Sequence, residues 1–284
     1  MEKRIIGLGV LFGALGGLLA FVFARVLSEP IIERAIDYEG GREDAQLELE
    51  KAAGHAVPHV HEAELFSRTV QANTGLGFGM IVFGAAMGAL FAVVYCVCLG
   101  RVGKLTPRTL ALLVAGGMFL ALYAVPFLKY PANPPSVGNA DTIEERTALY
   151  LGMVVISAVL LLAAVWLGRT LQARLGNWYA TLVAAGTFVV AIGVVMALLP
   201  SPGELSANQA IGDYATETPR PLTDPSGRIV YPGFPADDLY FFRLYSVLAQ
   251  VILWTVIGVG VASLTPRLFG REASRGDSAA ASLG

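Results

Sequence analysis

The three histidines of this 284-residue chain lie within seven positions, in the stretch GHAVPHVHEAE. They are His55, His59 and His61, and Glu62 follows the last of them. Imidazole nitrogens and a carboxylate oxygen are suitable ligands for divalent zinc, copper, nickel, iron or cobalt. Pro58 argues against a regular helix here, whereas His59 and His61 would face one side of an extended chain. We therefore predict that the three histidines and Glu62 close around a divalent metal ion.

Two other interpretations of this histidine cluster stay open. It could be a solvated polar loop that binds nothing, or a pH sensor, because an imidazole changes its charge near neutral pH. The cluster also does not identify its metal, since nitrogen and oxygen sites generally bind Cu²⁺ more tightly than Co²⁺.

A row of carboxylates before the histidines predicts part of an ion entrance. Three of them, each four residues from the next, fall on one face of a helix: Glu29, Glu33 and Asp37. Ile32 and Ile36 would form the apolar stripe of this helix, and the Gly40–Gly41 pair is expected to end it. The pattern predicts a short amphipathic helix on the outer membrane surface.

A proline-rich segment supplies the rest of the predicted entrance. Its prolines make the chain stiff and non-helical, because a residue before proline favours extended backbone; they are Pro126, Pro131, Pro134 and Pro135. The polar side chains that could guide an ion there are Lys129, Tyr130, Asn133 and Asp141. The alternative is that charges at these helix ends only pair with one another or extend toward water.

The composition indicates that a lipid bilayer positions these residues. Hydrophobic residues make up 55% of the chain and charged residues only 15%, and the mean hydropathy is +0.62. The apolar residues form blocks of about 20, the length at which a helix spans a bilayer core. We predict an all-α, polytopic membrane helix bundle with six transmembrane helices, at Ile5–Leu27, Gly75–Leu99, Leu110–Leu128, Thr147–Leu167, Trp178–Leu199 and Phe242–Leu264.

Lysine and arginine residues orient this bundle, because cytoplasmic loops of membrane proteins are enriched in them. With six helices, one side of the membrane receives Lys3, Arg4, Arg101, Lys104, Arg108, Arg169, Arg174, Arg267, Arg271 and Arg275. Only Glu2, Glu272 and Asp277 accompany them there, and all other acidic residues fall on the opposite side. Both termini are therefore predicted to be cytoplasmic.

This topology gives one integral membrane domain, residues 1–284, with three external segments. Segment 28–74 is acidic and carries the histidines, and segment 129–146 is the proline-rich loop. Segment 200–241 is rich in Gly, Pro and Asp and contains no motif. Within the helices, small-residue stripes allow backbones to approach closely, in a packed bundle or in a homo-oligomer: Gly9, Gly13 and Gly17, then Gly84 and Gly88.

Several classes of function are disfavoured. The stretch GRVGKLT has Leu105 where a phosphate-binding loop needs Ser or Thr. No basic face indicates a nucleic-acid partner. No nucleophile and base are paired at membrane depth, so we expect no enzyme activity. Cys96 and Cys98 project in different directions from a helix and are expected to be inert thiols.

The chain resembles the CbtA family of proposed cobalt transporter subunits. The resemblance rests on LSEPIIERAIDYE, the histidine cluster, SRTVQANTGL and, most specifically, PFLKYPANPPSVGNADTIEERTALYL. It implies a multi-pass protein of the bacterial cytoplasmic membrane that imports cobalt for cobalamin synthesis. It also implies metal contact by the external histidines and a small single-helix partner, CbtB. Family descriptions often count five spanning helices, whereas the charge pattern here favours six.

Two functional hypotheses follow. The first is a membrane subunit for the uptake of divalent cobalt, in which external histidines capture the metal. The second is a metal-binding membrane sensor or scaffold without transport activity. Cobalt is favoured by the resemblance, and nickel and zinc are the alternative metals.

Overall fold

The computed structural model describes residues 2–54, 70–103, 105–135, 137–211 and 218–281. Its helices, in chain order, are α1 (Glu2–Leu27), α2 (Glu29–Ala52), α3 (Leu76–Cys98), α4 (Pro107–Phe119), α5 (Val125–Lys129), α6 (Ile143–Leu198), α7 (Ser206–Ile211) and α8 (Ala236–Ala281). Two π-helical turns, Gln71–Gly75 and Leu120–Ala124, precede α3 and α5, and two 3₁₀ turns are Ala140–Thr142 and Pro202–Glu204. Strands β1 (Leu222–Thr223) and β2 (Ile229–Tyr231) form an antiparallel hairpin.

The described helices confirm the predicted all-α membrane class. Five of them are long and apolar enough to cross a bilayer: Glu2–Leu27, Gln71–Cys98, Pro107–Lys129, Ala140–Glu204 and Ala236–Thr265. The fourth and fifth predicted helices both fall within the 65 residues of Ala140–Glu204. The sixth crossing therefore depends on how that segment is folded.

The long helix α6 is bent back on itself at Gly176, where φ is +72° and ψ is 170°. A Cβ added to Gly168 would lie 3.2 Å from the Cβ of Ala184. Sixteen residues of straight helix would separate these positions by about 24 Å. The arms 143–175 and 177–198 therefore pack against each other as a hairpin. This geometry supports two crossings here, and a total of six stays a prediction.

The chain divides into two compact units. The first consists of Met1–Arg25, Phe66–Leu120 and Leu248–Gly284, and it contains α1, α3, α4 and most of α8. The second consists of Val26–Leu65 and Ala121–Val247, and it contains α2, α5, α6, α7 and the β-hairpin. The predicted single membrane domain stays a prediction.

The glycine stripes of the first unit lie at the contact between α1 and α3. A Cβ on Gly13 would overlap the carbonyl oxygen of Gly84 and lie 2.9 Å from the Cα of Gly88. A Cβ on Gly9 would overlap the carbonyl oxygen of Gly88 in the same way. The stripes are thus used within one chain, where they allow two backbones to touch. They give no support to the homo-oligomer, which stays a prediction.

The proline-rich exit begins later than the sequence predicted. Pro126 lies in the first turn of α5, where its missing N–H is tolerated, and the chain becomes non-helical only after Lys129. The π-helical turn before α5 departs from the regular α-helical pattern of backbone hydrogen bonds. Within this turn, the carbonyl of Ala121 accepts a hydrogen bond from the buried Ser157 hydroxyl of α6. Within lipid each backbone carbonyl needs such a donor, so this serine stabilises the irregular turn.

Helix α2 is longer than predicted. Gly40 and Gly41 do not end it, and it continues to Ala52. Its buried stripe is also different from the predicted one, because Ile31, Ala35 and Tyr38 are buried whereas Ile32 and Ile36 are half-buried. The prediction missed both features because α2 packs against a distant part of the chain. The last β-strand supplies that contact: the Tyr38 and Tyr231 rings lie 5.3 Å apart.

Candidate ion entrance

The predicted metal ligands His55, His59, His61 and Glu62 lie outside the described residues. Within the described ranges, no three His, Cys, Asp or Glu side chains are grouped so that they could hold a metal ion. The metal site thus stays a prediction. The described residues include those of the predicted ion entrance, which lie on α2 and in the proline-rich loop.

Helix α2 presents a row of carboxylates to solvent. Glu33 and Asp37 are both exposed, as predicted from their spacing. Glu29 is placed differently, since it is only 1% exposed at the first turn of the helix. Because α2 extends past Gly41, Asp44 and Glu48 continue the exposed row at helical spacing.

The proline-rich loop is held by two of its predicted entrance residues. The Tyr130 hydroxyl donates a 2.9 Å hydrogen bond to the carbonyl of Pro200. The amide oxygen of Asn133 accepts a 2.8 Å hydrogen bond from Arg243, whose Nε also donates to the carbonyl of Ala132. Tyr130 and Asn133 therefore anchor the loop, through the Tyr130 hydroxyl and the Asn133 amide oxygen.

Burial of Tyr130 and the negative charge near it both raise the pKa of its hydroxyl. Desolvation of the ring raises the pKa of its hydroxyl, and the nearby negative charge of Glu204 raises that pKa further. The Tyr130 hydroxyl is therefore neutral at physiological pH and remains a hydrogen-bond donor. The ammonium group of Lys129 lies 5.9 Å from the centre of the same ring, at a distance typical of a cation–π contact.

A buried amide pair anchors the other end of the loop. Asn139 donates a 3.0 Å hydrogen bond to the side-chain oxygen of Asn208, which in turn donates to the carbonyl of Pro202. The Asn139 side-chain oxygen accepts from the backbone N–H of Asp141. Asp141 is exposed, so it is the loop residue whose carboxylate is presented to solvent.

Sequence reasoning did not pair Arg243 with Asn133 or Asn139 with Asn208. The partners are 110 and 69 residues apart, and no local spacing relates them. Asp44 and Glu48 could have been found, because they follow Asp37 at i+7 and i+11 on one helical face.

The arrangement of the described residues is suited to guiding a cation rather than to holding one. Exposed carboxylates on α2 and at Asp141 raise the local concentration of cations by electrostatic attraction. Prolines restrict the backbone of the described loop residues, and side-chain hydrogen bonds anchor both ends of the loop. Binding a divalent ion tightly would need several ligands that converge on one point.

Comparison with known proteins identifies a family for this chain. A protein-family model described as "Probable cobalt transporter subunit (CbtA)" matches residues 2–266, nearly the whole chain. No curated protein and no solved structure matches the chain. The family match confirms the resemblance that the sequence segments predicted.

Proposed function

The chain belongs to the CbtA family of probable cobalt transporter subunits, and from that premise we propose that it carries divalent cobalt into the cell. The family match over residues 2–266 is the observation that supports this proposal. The spanning helices agree with a multi-pass membrane protein. The family is one of transporter subunits rather than enzymes.

Cobalt approaches along the exposed carboxylates of the second unit. Glu33, Asp37 and Asp141 attract the ion electrostatically, and Asp44 and Glu48 extend the attracting surface. Lys129, Tyr130 and Asn133 shape the entrance by fixing the loop rather than by binding metal. Glu29, which is buried, is assigned a structural contribution to this entrance.

Capture is assigned to His55, His59 and His61, with Glu62 as the carboxylate ligand. Imidazole binds a metal only in its neutral form, so capture should weaken below about pH 6. Cobalt is the proposed cargo, and nickel and zinc are tested beside it because the ligand types suit all three.

The word subunit in the family description implies a complex. We assign the partner as a small single-helix protein of the CbtB type, in the bacterial cytoplasmic membrane. The remaining assignments are six crossings, with both termini in the cytoplasm. The hairpin in α6 supports the even number of crossings that this topology needs.

Metal flux in liposomes tests this function. The purified protein is reconstituted with and without the partner, and the entry of Co²⁺, Ni²⁺ and Zn²⁺ is followed with an internal metal-sensitive dye. We expect Co²⁺ entry that saturates and that needs the partner. Replacing all three histidines by alanine should raise the Co²⁺ concentration that gives half-maximal flux. Some flux should remain at high Co²⁺ concentration.

The control is a liposome that contains the partner alone. Flux no greater than this control at any Co²⁺ concentration would contradict transport. If metal binding persisted in that case, the chain would be a metal-binding sensor or scaffold.

A further inference from the structure

Segment 219–238 packs on the side of α2 that carries Arg34, Tyr38 and Arg42. These three residues are each four apart, so they lie on one helical face within about 80° of one another. Each makes a polar contact with the segment, about 180 to 200 residues away in sequence. We call this set of contacts the α2 clamp.

The ion pair of the clamp joins Arg34 to Asp238. Arg34 Nη2 lies 2.6 Å from Asp238 Oδ1, and Arg34 Nε lies 3.1 Å and 3.2 Å from the two carboxylate oxygens. The hydrogen bond to Asp238 raises the pKa of Arg34, so the guanidinium stays charged. A guanidinium that spans both oxygens fixes the direction of the contact as well as its distance.

Tyr38 forms the middle of the clamp. Its hydroxyl donates a 2.9 Å hydrogen bond to the carbonyl of Pro232. Its ring lies 5.3 Å from the ring of Tyr231 and 5.2 Å, edge to face, from that of Phe234. Ala35, one turn before it, is fully buried. The contact therefore buries the Tyr38 side chain and combines apolar packing with a hydrogen bond.

The third contact comes from Arg42, whose Nη1 donates a 2.7 Å hydrogen bond to the carbonyl of Arg220. The close approach of Tyr231 explains why residue 41, beside Arg42, is a glycine inside α2. A Cβ on Gly41 would overlap the hydroxyl of Tyr231, whereas a Cβ on Gly40 would meet nothing within 4 Å. Gly41 thus permits the close approach that the clamp needs.

The clamp determines which face of α2 is exposed. With Arg34, Tyr38 and Arg42 engaged, Glu33 and Asp37 are on the solvent side of the helix. Rotation or release of α2 would move both carboxylates together, because they belong to one rigid helix. A field that attracts cations depends on where these charges are held.

We infer that Arg34, Tyr38 and Arg42 are positioning residues for cation uptake, which lock α2 onto segment 219–238 and fix its carboxylate row at the entrance. This inference rests on the proposed uptake function. It also gives segment 219–238, which contains no recognisable motif, a defined task. None of the three residues contacts the cation itself.

Two adjacent glycines provide a matched test. Gly41→Ala inserts a methyl group into the clamp, and Gly40→Ala inserts the same group one residue earlier into open space. Both changes favour helix by a similar amount. The double variant Gly41→Ala/Tyr231→Phe removes the hydroxyl that the methyl group would overlap and should restore the contact.

Amide hydrogen exchange of α2, measured in detergent without metal, reports the clamp directly. We expect Gly41→Ala to speed exchange over 34–45 about tenfold, because overpacking weakens a local contact by that order. Gly40→Ala should leave exchange equal or slower, and the double variant should return toward the wild type. Equal exchange in all three variants would overturn the inference.

Cobalt uptake with the partner present gives the functional readout. We expect Gly41→Ala to raise the KM about threefold and to leave the maximal rate within about twofold, since only the attracting charges are displaced. Faster exchange with an unchanged KM would overturn the positioning role. Failure of the proposed function is distinguishable, because the wild-type protein would then show no cobalt flux while the exchange results stayed the same.

Discussion

The helix contacts within the two units of this protein are of different kinds. In the first unit, α1 and α3 meet backbone to backbone because glycines leave no side chain between them. In the second unit, α2 is held by the outermost atoms of long side chains, those of Arg34, Tyr38 and Arg42. The first contact has no polar side-chain atom to remove, whereas the second is harmed by removing a polar atom as well as by adding a carbon atom at Gly41. Contacts of the first kind suit lipid, where close packing replaces the hydrophobic effect.

The largest expected effect comes from Gly88→Ala in the first unit. Its Cβ would overlap the carbonyl oxygen of Gly9 and lie 2.9 Å from the Cα of Gly13, and neither backbone can move aside cheaply. We expect a loss of about 3 kcal/mol in the free energy of unfolding. Thermal unfolding in detergent measures it. The control is Gly79→Ala on the same helix, which meets nothing within 4 Å and should be neutral or stabilising. Equal losses in both variants would contradict the close backbone contact.

Arg243→Met should have the next largest effect, in the second unit. It keeps the aliphatic stem and removes the hydrogen bonds to Ala132 and Asn133. Because the donor is charged, we expect a local loss of about 2 kcal/mol. Exchange should become faster at the loop amides of Tyr130, Ala132 and Asn133, since the prolines of the loop carry no N–H. Arg174→Met, at an exposed position, is the control and should exchange like the wild type. An unchanged loop in Arg243→Met would show that the prolines alone keep it rigid.

Tyr38→Phe tests a single polar atom in the α2 clamp. The ring contacts stay, whereas the 2.9 Å hydrogen bond to the carbonyl of Pro232 is lost. We expect about 1 kcal/mol less protection of α2 amides in hydrogen exchange. Tyr240→Phe removes a hydroxyl from a side chain that is 61% exposed and should change nothing. If Tyr38→Phe matched this control, the clamp would be held by packing, and the contrast between the two units would weaken.

The smallest expected effect is at the β-hairpin. The Asp224 carboxylate accepts a hydrogen bond from the Ser226 hydroxyl, which contributes most to lowering its pKa below 3.8, and others from the backbone N–H groups of Ser226 and Arg228. Because the folded pKa is the lower one, the charged form stabilises the hairpin above pH 3.8, and this contribution is lost as the pH falls through the folded pKa.

Asp224→Asn should therefore act at neutral pH as acid would on the wild type. We expect amide exchange in 222–231 to rise by about twofold, since the site is exposed and screened. Asp237→Asn, another exposed carboxylate, is the control. Slower exchange in Asp224→Asn would reverse the sign of this pKa argument.

The features that could be predicted from the sequence are those that recur at regular spacing along a helix. Apolar blocks identified the spanning segments, and the spacing of Gly9, Gly13 and Gly17 marked a real close contact. The sequence also placed Glu33 and Asp37 on one exposed face. These features depend on local periodicity, which a single chain displays directly.

The sequence could not predict contacts between distant segments. Gly41 reads locally as a helix end, yet it is a glycine because Tyr231 approaches it, so the predicted end was wrong. Arg34 and Asp238 are 204 residues apart, and nothing near either residue indicates the other. The buried Glu29 is a similar case. Its spacing places it on the same helical face as Glu33, and only the packed structure shows that Glu29 is buried whereas Glu33 is exposed. The histidine site stays a prediction.

The turn at Gly176 has a consequence for how the protein is made. One residue with a positive φ joins the two arms of α6, so no loop separates them. Trp166 and Trp178, 68% and 71% exposed, flank the turn together with Arg169 and Arg174, and these residue types favour the membrane–water interface. Residues 143–198 are therefore expected to be inserted into the membrane as a single unit. With the six crossings proposed above, the two arms would enter the bilayer together as one helical hairpin.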